Sequence, residues 1–396
     1  MRILKISHPQ EIKKIMQDIK VDAYGIKIML PKAITHLVKI SSISNITANI
    51  LKQEMLSLGG DVAIARGALT GKTKQTDCLL IGNLAQFYRL SIKLKSQPFG
   101  LDKLAVQLSD TLANFQKDSF LLRLGGYKLN LGRRPHIMGV INVTPNSFSG
   151  DGFYHRDIEE IAGQAERLAA EGADIIDVGG ESSRPNAKAV SQQEELGRVI
   201  PVIKILTKRI KIPVSVDTYK PEVARAALDN GALLINDISG LKNPKMAKLA
   251  AKYRSAVVIM HMQGSPRTMQ LKPQYAALIN NIISFLESRI KLAQEAGIGD
   301  DKIIIDPGIG FGKTCAHNLE ILQKLSEFKV LGRPILVGTS RKSFLGKILN
   351  APAQERIFGT LASNILAVIN GAKIVRVHDV RAVKQALVVL DKIMKA

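Results

Sequence analysis

Residues 212–239, IPVSVDTYKPEVARAALDNGALLINDIS, read as a strand, a helix and a second strand. Both strands are nearly unbroken apolar runs, as expected of strands covered on two faces in a parallel sheet. Between them, Pro221 suits a first helical turn and Gly231 a left-handed helix stop. The same theme recurs on either side, in HIMGVINVT (136–144), ADIIDVGGES (173–182), AVVIMHM (256–262), KIIIDPG (302–308), PILVGTS (334–340) and AKIVRVHD (372–379). The intervening segments carry helix punctuation: a capping box at Ser191 and Glu194, Pro244 in a first turn, and Gly172, Gly297 and Gly371 as stops. Ile158, Ile161, Ala165 and Leu168 recur at three and four residues, which makes one buried stripe on the first helix. Eight strand–helix units in about 265 residues predict a closed (β/α)8 TIM barrel, with an open doubly wound sheet as the alternative.

Ahead of the barrel, SFLLRLGGYKLNL (119–131) predicts a hairpin turning at Gly125-Gly126. Residues 1–118 carry a helical stretch at Ile50–Leu58, a break at Gly59-Gly60, short strands near Val62–Ala65 and Cys78–Ile81, and helical stretches at Leu84–Leu94 and Leu104–Phe115. They predict a smaller N-terminal α/β domain of unassigned role, so the division falls at 118/119.

The 396 residues are 46% hydrophobic and 23% charged, ordinary globular proportions that exclude disorder and coiled coil. Two cysteines, Cys78 and Cys315, are too few for a disulfide framework or a thiolate metal site. No apolar run is long enough to span a bilayer, and the start MRILKISHPQEIKK lacks the features of a signal peptide, so the expected location is the cytoplasm, without membrane partners. A net charge of +22 raises nucleic acid as a partner. However, the excess is spread, +8 over residues 1–118 and +14 over the rest, and there is no Trp for stacking bases. A polyanionic small substrate explains the positive field equally well.

Barrel enzymes keep their chemistry at the C-terminal ends of the strands, and here nearly every end is polar. In order these ends carry Asn142, the segment 179–184, Asp217, Asn236 with Asp237, His261, Asp306, Lys342 with Ser343, and Arg376 with His378. The first two feed glycine- and serine-rich loops, VTPNSFSGDGFY (143–154) and GGESSRPNA (179–187), suited to closing over a charged substrate. Two segments imitate a phosphate-binding P-loop, GALTGKT (67–73) and GIGFGKT (308–314). In both, three residues separate the glycines where the P-loop has four, which argues against ATP chemistry.

Eight motifs in order, MGVINVTPNSFS, DVGGESSRP, SVDTYKPEVARAA, INDIS, MHMQGSPRTM, DPGIGFGK, GTSRKSFLG and RVHDV, make residues 119–396 resemble the dihydropteroate synthases of the pterin-binding enzyme family. The resemblance implies condensation of (7,8-dihydropterin-6-yl)methyl diphosphate with 4-aminobenzoate, giving 7,8-dihydropteroate and diphosphate. It gives Asp306 the paired donors of the pterin amidine edge, with Asn236, Asp217 and Lys342 as further edge partners. Asp237 and Lys313 are counted with the substrate-binding residues, and Met260 and Phe311 with the ring plane. Asn142, Arg376 and His378 would hold the diphosphate, with Mg2+ bridging its oxygens and Asn142 as the protein ligand. Ser343 would meet the aminobenzoate carboxylate, together with Ser183 and Arg184 of the second loop. A homodimer is implied as well.

The sequence departs from the family pattern in both loops. Asn146 stands where the family has Asp, Gly150-Asp151-Gly152 replaces Asp-Gly-Gly, and Ser183 replaces Thr. All of these lie outside the expected pterin pocket. Two other functions are alternatives for such a chain: a pterin-dependent methyltransferase serving a corrinoid protein, and a basic RNA-binding or scaffold protein without activity. GTSRKSFLG and RVHDV argue against the first, since a methyl donor needs neither an arylamine site nor a diphosphate site.

Overall fold

The computed structural model describes all residues except Lys5, Ser7, His8, 144–153, 183–188, Arg267 and Ala396. The chain divides into two compact units, Met1–Ala113 and Asn114–Ala396. The division falls a few residues before the expected 118/119. Asn114 and Asp118 already bond within the second unit, Asn114 to the Val330 carbonyl at 3.0 Å and Asp118 to Lys329 at 2.7 Å.

In the first unit, β1 (Thr35–Ser44), β2 (Asp61–Ile64) and β3 (Gln75–Asn83) form an antiparallel sheet in the order β1-β3-β2. Helices Asn45–Ser57, Leu84–Leu94 and Leu101–Gln116 supply most of its apolar core, with Leu51, Met55, Phe87, Leu90 and Leu108 buried against Val62 and Leu80. It is a small α/β domain, as expected.

The second unit opens with a hairpin, β4 (Leu121–Leu124) and β5 (Tyr127–Asn130), turning at Gly125-Gly126. Eight strands follow: β6 (His136–Asn142), β7 (Ile175–Gly179), β8 (Val214–Asp217), β9 (Leu234–Asp237), β10 (Ala256–Met260), β11 (Ile303–Asp306), β12 (Ile335–Val337) and β13 (Ala372–Val377). They pair in parallel in chain order, and β13 closes on β6. This is the (β/α)8 barrel, and the open-sheet alternative falls.

Side chains alternate along each strand because successive residues of a strand point to opposite faces. Ile176 and Val178, Val214 and Val216, and Ile303 and Ile305 join the apolar layer under the helices. Ile175, Leu234, Val258, Ile304, Leu336 and Ile374 instead fill the barrel interior, where Leu122 and Leu124 of the hairpin and Leu131 pack against them. The hairpin thus plugs the barrel at the strand starts.

Helix boundaries follow the punctuation. Pro221 and Pro244 open their helices, and Gly172, Gly231, Gly297 and Gly371 all have positive φ. Ser191 accepts the Glu194 amide at 3.2 Å, but the Glu194 carboxylate pairs with Arg198 one turn on, so only half of the capping box forms. On the first barrel helix, Ile161, Ala165 and Leu168 are buried and Ile158 is half-buried.

Candidate active site

The plugged end fixes which residues face the open one. Two positions beyond the interior apolar layer, the inward side chains become polar: Asp177 follows Ile175, Asp217 follows Ser215, Asn236 follows Leu234, Asp306 follows Ile304 and Arg376 follows Ile374. All of these but Asp177, which lies beneath them, line a cavity partly open to solvent. Its wall includes Asp217, Asn236, Met260, Asp306, Phe311, Lys342, Arg376 and His378, all expected from the sequence.

Arg376 is the hub. Its Nε donates to Asp177 Oδ2 at 2.6 Å and its NH2 group to Asp217 Oδ2 at 2.8 Å, while the Asn236 amide donates to the same Asp177 oxygen at 3.0 Å. The guanidinium was expected only as an anion binder; here two of its nitrogens lock the acidic side of the cavity into one arrangement. Asp177, fully buried, was not singled out in the sequence.

On the facing wall, Asp306 Oδ1 accepts the Gly308 amide at 2.6 Å. Gly308 has φ +73°, and a Cβ there would lie 1.9 Å from the His261 carbonyl oxygen, so only glycine lets this loop close against the end of β10. Burial pushes the Asp306 carboxyl up to about 6, against the pull of the Gly308 amide and of Lys342. Burial also raises Asp217 to about 7, opposed by Arg376 and reinforced by Asp177. Lys342 lies 4.0 Å from the centroid of the Phe311 ring, and burial with nearby Arg376 lowers its ammonium to about 8. Met260 and Phe311 cluster with Ile238, Met262 and Met269, forming the apolar side.

His378 Nδ1 lies 3.1 Å from Ser340 Oγ, and the His378 amide donates to the same oxygen at 3.2 Å. Burial and Arg376 hold this imidazole down at about 4, so it is neutral at physiological pH. Ser340 is a cavity residue that the sequence reading passed over in favour of Ser343. Ser343 stands exposed on the first turn of the helix Ser343–Leu349, outside the cavity and adjacent to Lys342.

Two expected substrate contacts are not among the residues that line this cavity. Asp237 follows the outward register of β9, and its two oxygens accept the Ser239 and Leu241 amides at 2.7 and 3.0 Å, so it closes a turn beside the cavity rather than lining it. Lys313 is buried behind the cavity, donating to His261 Nδ1 and to the Phe311 carbonyl, each at 3.0 Å; it braces the loop that carries Phe311. Burial lowers its ammonium to about 7.

Asn142 sits exposed at the end of β6, the strand beside that of Arg376, with the inward parity of Met138. Among the described residues no group of three His, Cys, Asp or Glu side chains could cage a metal. The amide oxygen of Asn142 is nevertheless the hard donor that Mg2+ accepts, and a diphosphate would supply further oxygens. Ser183, Arg184, Asn146 and Gly150-Asp151-Gly152 lie outside the described residues.

A family model described as pterin binding enzyme matches residues 138–378. The chain is 44% identical to a dihydropteroate synthase of Synechocystis sp. over 276 residues, which span 69% of this chain and 95% of that relative. It is 40% identical over 356 residues to a probable bifunctional folylpolyglutamate synthase/dihydropteroate synthase of Halobacterium salinarum, spanning 90% of this chain and 42% of that one. Among solved structures, the dihydropteroate synthase of Xanthomonas albilineans with 4-aminobenzoic acid superposes with a TM-score of 0.66 at 43% identity, covering 70% of this chain and 99% of that one.

Proposed function

The chain belongs to the pterin-binding enzyme family, among its dihydropteroate synthases, and from that premise we propose how its residues divide the reaction. The observation that carries the proposal is the polar ring at the barrel mouth, with Asp306, Asn236 and Asp217 facing Lys342, Arg376 and His378 around one cavity. Asp306, as a carboxylate, accepts the two adjacent N–H groups of the pterin amidine edge. Asn236, Asp217 and Lys342 complete the edge, and Met260 and Phe311 pack near the ring plane. Such a buried acceptor is satisfied only by a ring that offers both donors, which can discriminate by about 10⁴.

Arg376 faces the leaving diphosphate with its third nitrogen. His378 adds a neutral donor: with Ser340 donating to Nδ1, the ring proton resides on Nε2, free of the cost of a second buried charge. The C–O bond at the pterin methylene breaks with its electron pair leaving on the diphosphate. The lone pair of the arylamine then forms the C–N bond, and the amine proton departs to solvent. Stabilising the departing anion makes this dissociative order accessible. No nucleophile needs activation, so the Ser340–His378 pair at the cavity serves to fix the imidazole's tautomer rather than to generate an alkoxide. Mg2+ held by Asn142 and the diphosphate would neutralise further charge on the leaving group. Ser343, exposed beside Lys342, would meet the aminobenzoate carboxylate.

We place the enzyme in the cytoplasm, where its free thiols Cys78 and Cys315 would stay reduced. We also propose a homodimer built on helix Ile357–Ile369, which exposes Phe358 (77%) and Ile369 (51%) beside Val388 and Val389 of helix Val380–Lys395.

The test is direct. The purified chain, given the dihydropterin diphosphate, 4-aminobenzoate and Mg2+, should release dihydropteroate and diphosphate in equal amounts, and Arg376→Ala should abolish turnover. Full turnover by Arg376→Ala would remove that side chain from the reaction.

A further inference from the structure

Between two cavity residues stands one that the reaction above does not use. The Thr339 carbonyl accepts the Lys342 amide at 3.2 Å, closing a tight turn after β12 in which Arg341, the residue before Lys342, has φ +57°. Glycine is the usual occupant of such a position, and an L side chain there costs energy. Ser340 and Lys342 on either side line the cavity, but Arg341 does not. Its guanidinium forks onto Asp379, Nε donating to Oδ2 at 3.0 Å and Nη2 to Oδ1 at 2.5 Å. Ser340 already holds His378, so successive residues of the turn grip successive residues after β13.

Stability is a poor reason for keeping a strained arginine. The side chains of the pair are 37% and 26% exposed, and ion pairs that water reaches contribute little. The turn also has other anchors. The Arg341 amide donates to the buried Thr360 hydroxyl at 3.2 Å, Ser363 donates to the Thr339 hydroxyl at 2.9 Å, and Arg356 donates to the Arg341 and Lys342 carbonyls at 2.9 and 3.3 Å. All of these tie the turn to helix Ile357–Ile369 or to the residue just before it. Among the described residues, it is Ser340 and Arg341 whose side chains join the turn to the residues following β13. Strain kept beside a functional site points to a use. Lys342 faces the pterin edge and His378 the diphosphate, the two ends of one substrate. Those ends separate as the C–O bond breaks, so the spacing of the two groups must suit the transition state rather than the bound substrate alone.

We propose that Arg341, through Asp379, is a positioning residue for the cleavage step: the fork sets how far the Lys342 turn stands from His378, and so fits the two ends of the site to the lengthening C–O bond. This rests on the reaction proposed above. Neither Arg341 nor Asp379 lines the cavity, and both act through the neighbours they hold apart.

Steady-state kinetics and calorimetry on the full chain test it. Arg341→Gly loses the pair but relieves the strained φ, so its Tm should stay within about 2 °C of the unmodified chain's. Its kcat should fall about thirtyfold, with both KM values within about threefold. Asp379→Asn keeps the size of the side chain and one acceptor without the charge, and should show the same split. Because the two residues act as one unit, the double variant should be no slower than Arg341→Gly alone. A readout independent of turnover is hydrogen exchange by mass spectrometry: the amides of Arg341 and Lys342 should exchange faster in Asp379→Asn, with those of helix Ile357–Ile369 unchanged. A kcat within about twofold of the original in both single variants overturns the proposal, as do losses that multiply in the double variant or a loss that tracks a fall in Tm. If the unmodified chain forms no dihydropteroate, the functional reading falls and takes the cleavage role with it. Exchange then decides whether the fork holds the turn: equal rates in the unmodified chain and Asp379→Asn dismiss the clamp, and faster exchange in the variant keeps it.

Discussion

At the scale of single residues, the cavity trades stability for recognition. Asp306 has its carboxyl pushed up to about 6 by burial, so in the empty protein it holds its proton more tightly than the unfolded chain does. Its contribution to stability is therefore present at low pH and fades as pH rises from about 4 through about 6. Asp306→Asn removes that dependence and keeps an oxygen for the Gly308 amide, so by calorimetry at pH 8 its Tm should equal or exceed that of the unmodified chain. The same change sets an amide where ring donors need a carboxylate, and kcat/KM should fall by about 10³-fold. In the unmodified chain, pterin affinity measured by titration calorimetry should weaken below pH 6, by up to about tenfold per unit, because the ring must displace a proton. A pH-independent affinity between 5 and 8 would remove Asp306 from ring recognition. The inward residues were legible in the sequence wherever strand parity was followed, since Asn236 and Asp306 share the parity of Leu234 and Ile304. Asp237 has the opposite parity, which turns it toward the Ser239 and Leu241 amides. Ser340 and Asp177 were missed although the parity of Leu336 and Ile175 leads to them. Lys313 could not have been placed this way, because it follows a loop whose course depends on Gly308 and Gly312 rather than on alternation.

Among the elements, the hairpin shows where local sequence stops being informative. Its turn and strands were readable from Gly125-Gly126 and the alternation around them, but nothing local announced that Leu122 and Leu124 enter the barrel. That docking is a long-range packing event, fixed by interior residues such as Val258 and Ile304 more than a hundred positions away. Leu124 is fully buried there, so Leu124→Ala should cost about 2–5 kcal/mol of unfolding free energy in a denaturant titration. Because the plug lies at the strand starts and the cavity at the strand ends, both KM values should stay within about twofold. A selective rise in KM without loss of stability would show that the plug shapes the site.

At the scale of the whole molecule, two assignments are open to measurement. Phe358→Glu places a charge in the exposed apolar face of helix Ile357–Ile369; on the proposed pairing, sedimentation equilibrium should find the unmodified chain dimeric and the variant monomeric, and a monomeric unmodified chain would dismiss the pairing. The second assignment concerns the first unit. It has its own sheet and its own apolar core, and every described cavity residue lies between Asn142 and His378, inside the second unit. The Synechocystis relative matches 69% of this chain with 95% of its own length, a span the second unit alone can supply. The match to the Halobacterium salinarum protein covers 356 residues, more than the second unit holds, so it also takes in part of the first. A barrel closed by its own hairpin and carrying the polar ring has the makings of an independent folding unit. Residues 114–396 expressed alone should therefore unfold in one cooperative transition, and kcat/KM for both substrates should lie within about threefold of the full chain's. A folded fragment without turnover would show that the first unit completes the catalytic apparatus, and the polar ring would then be a binding site rather than the whole of the enzyme.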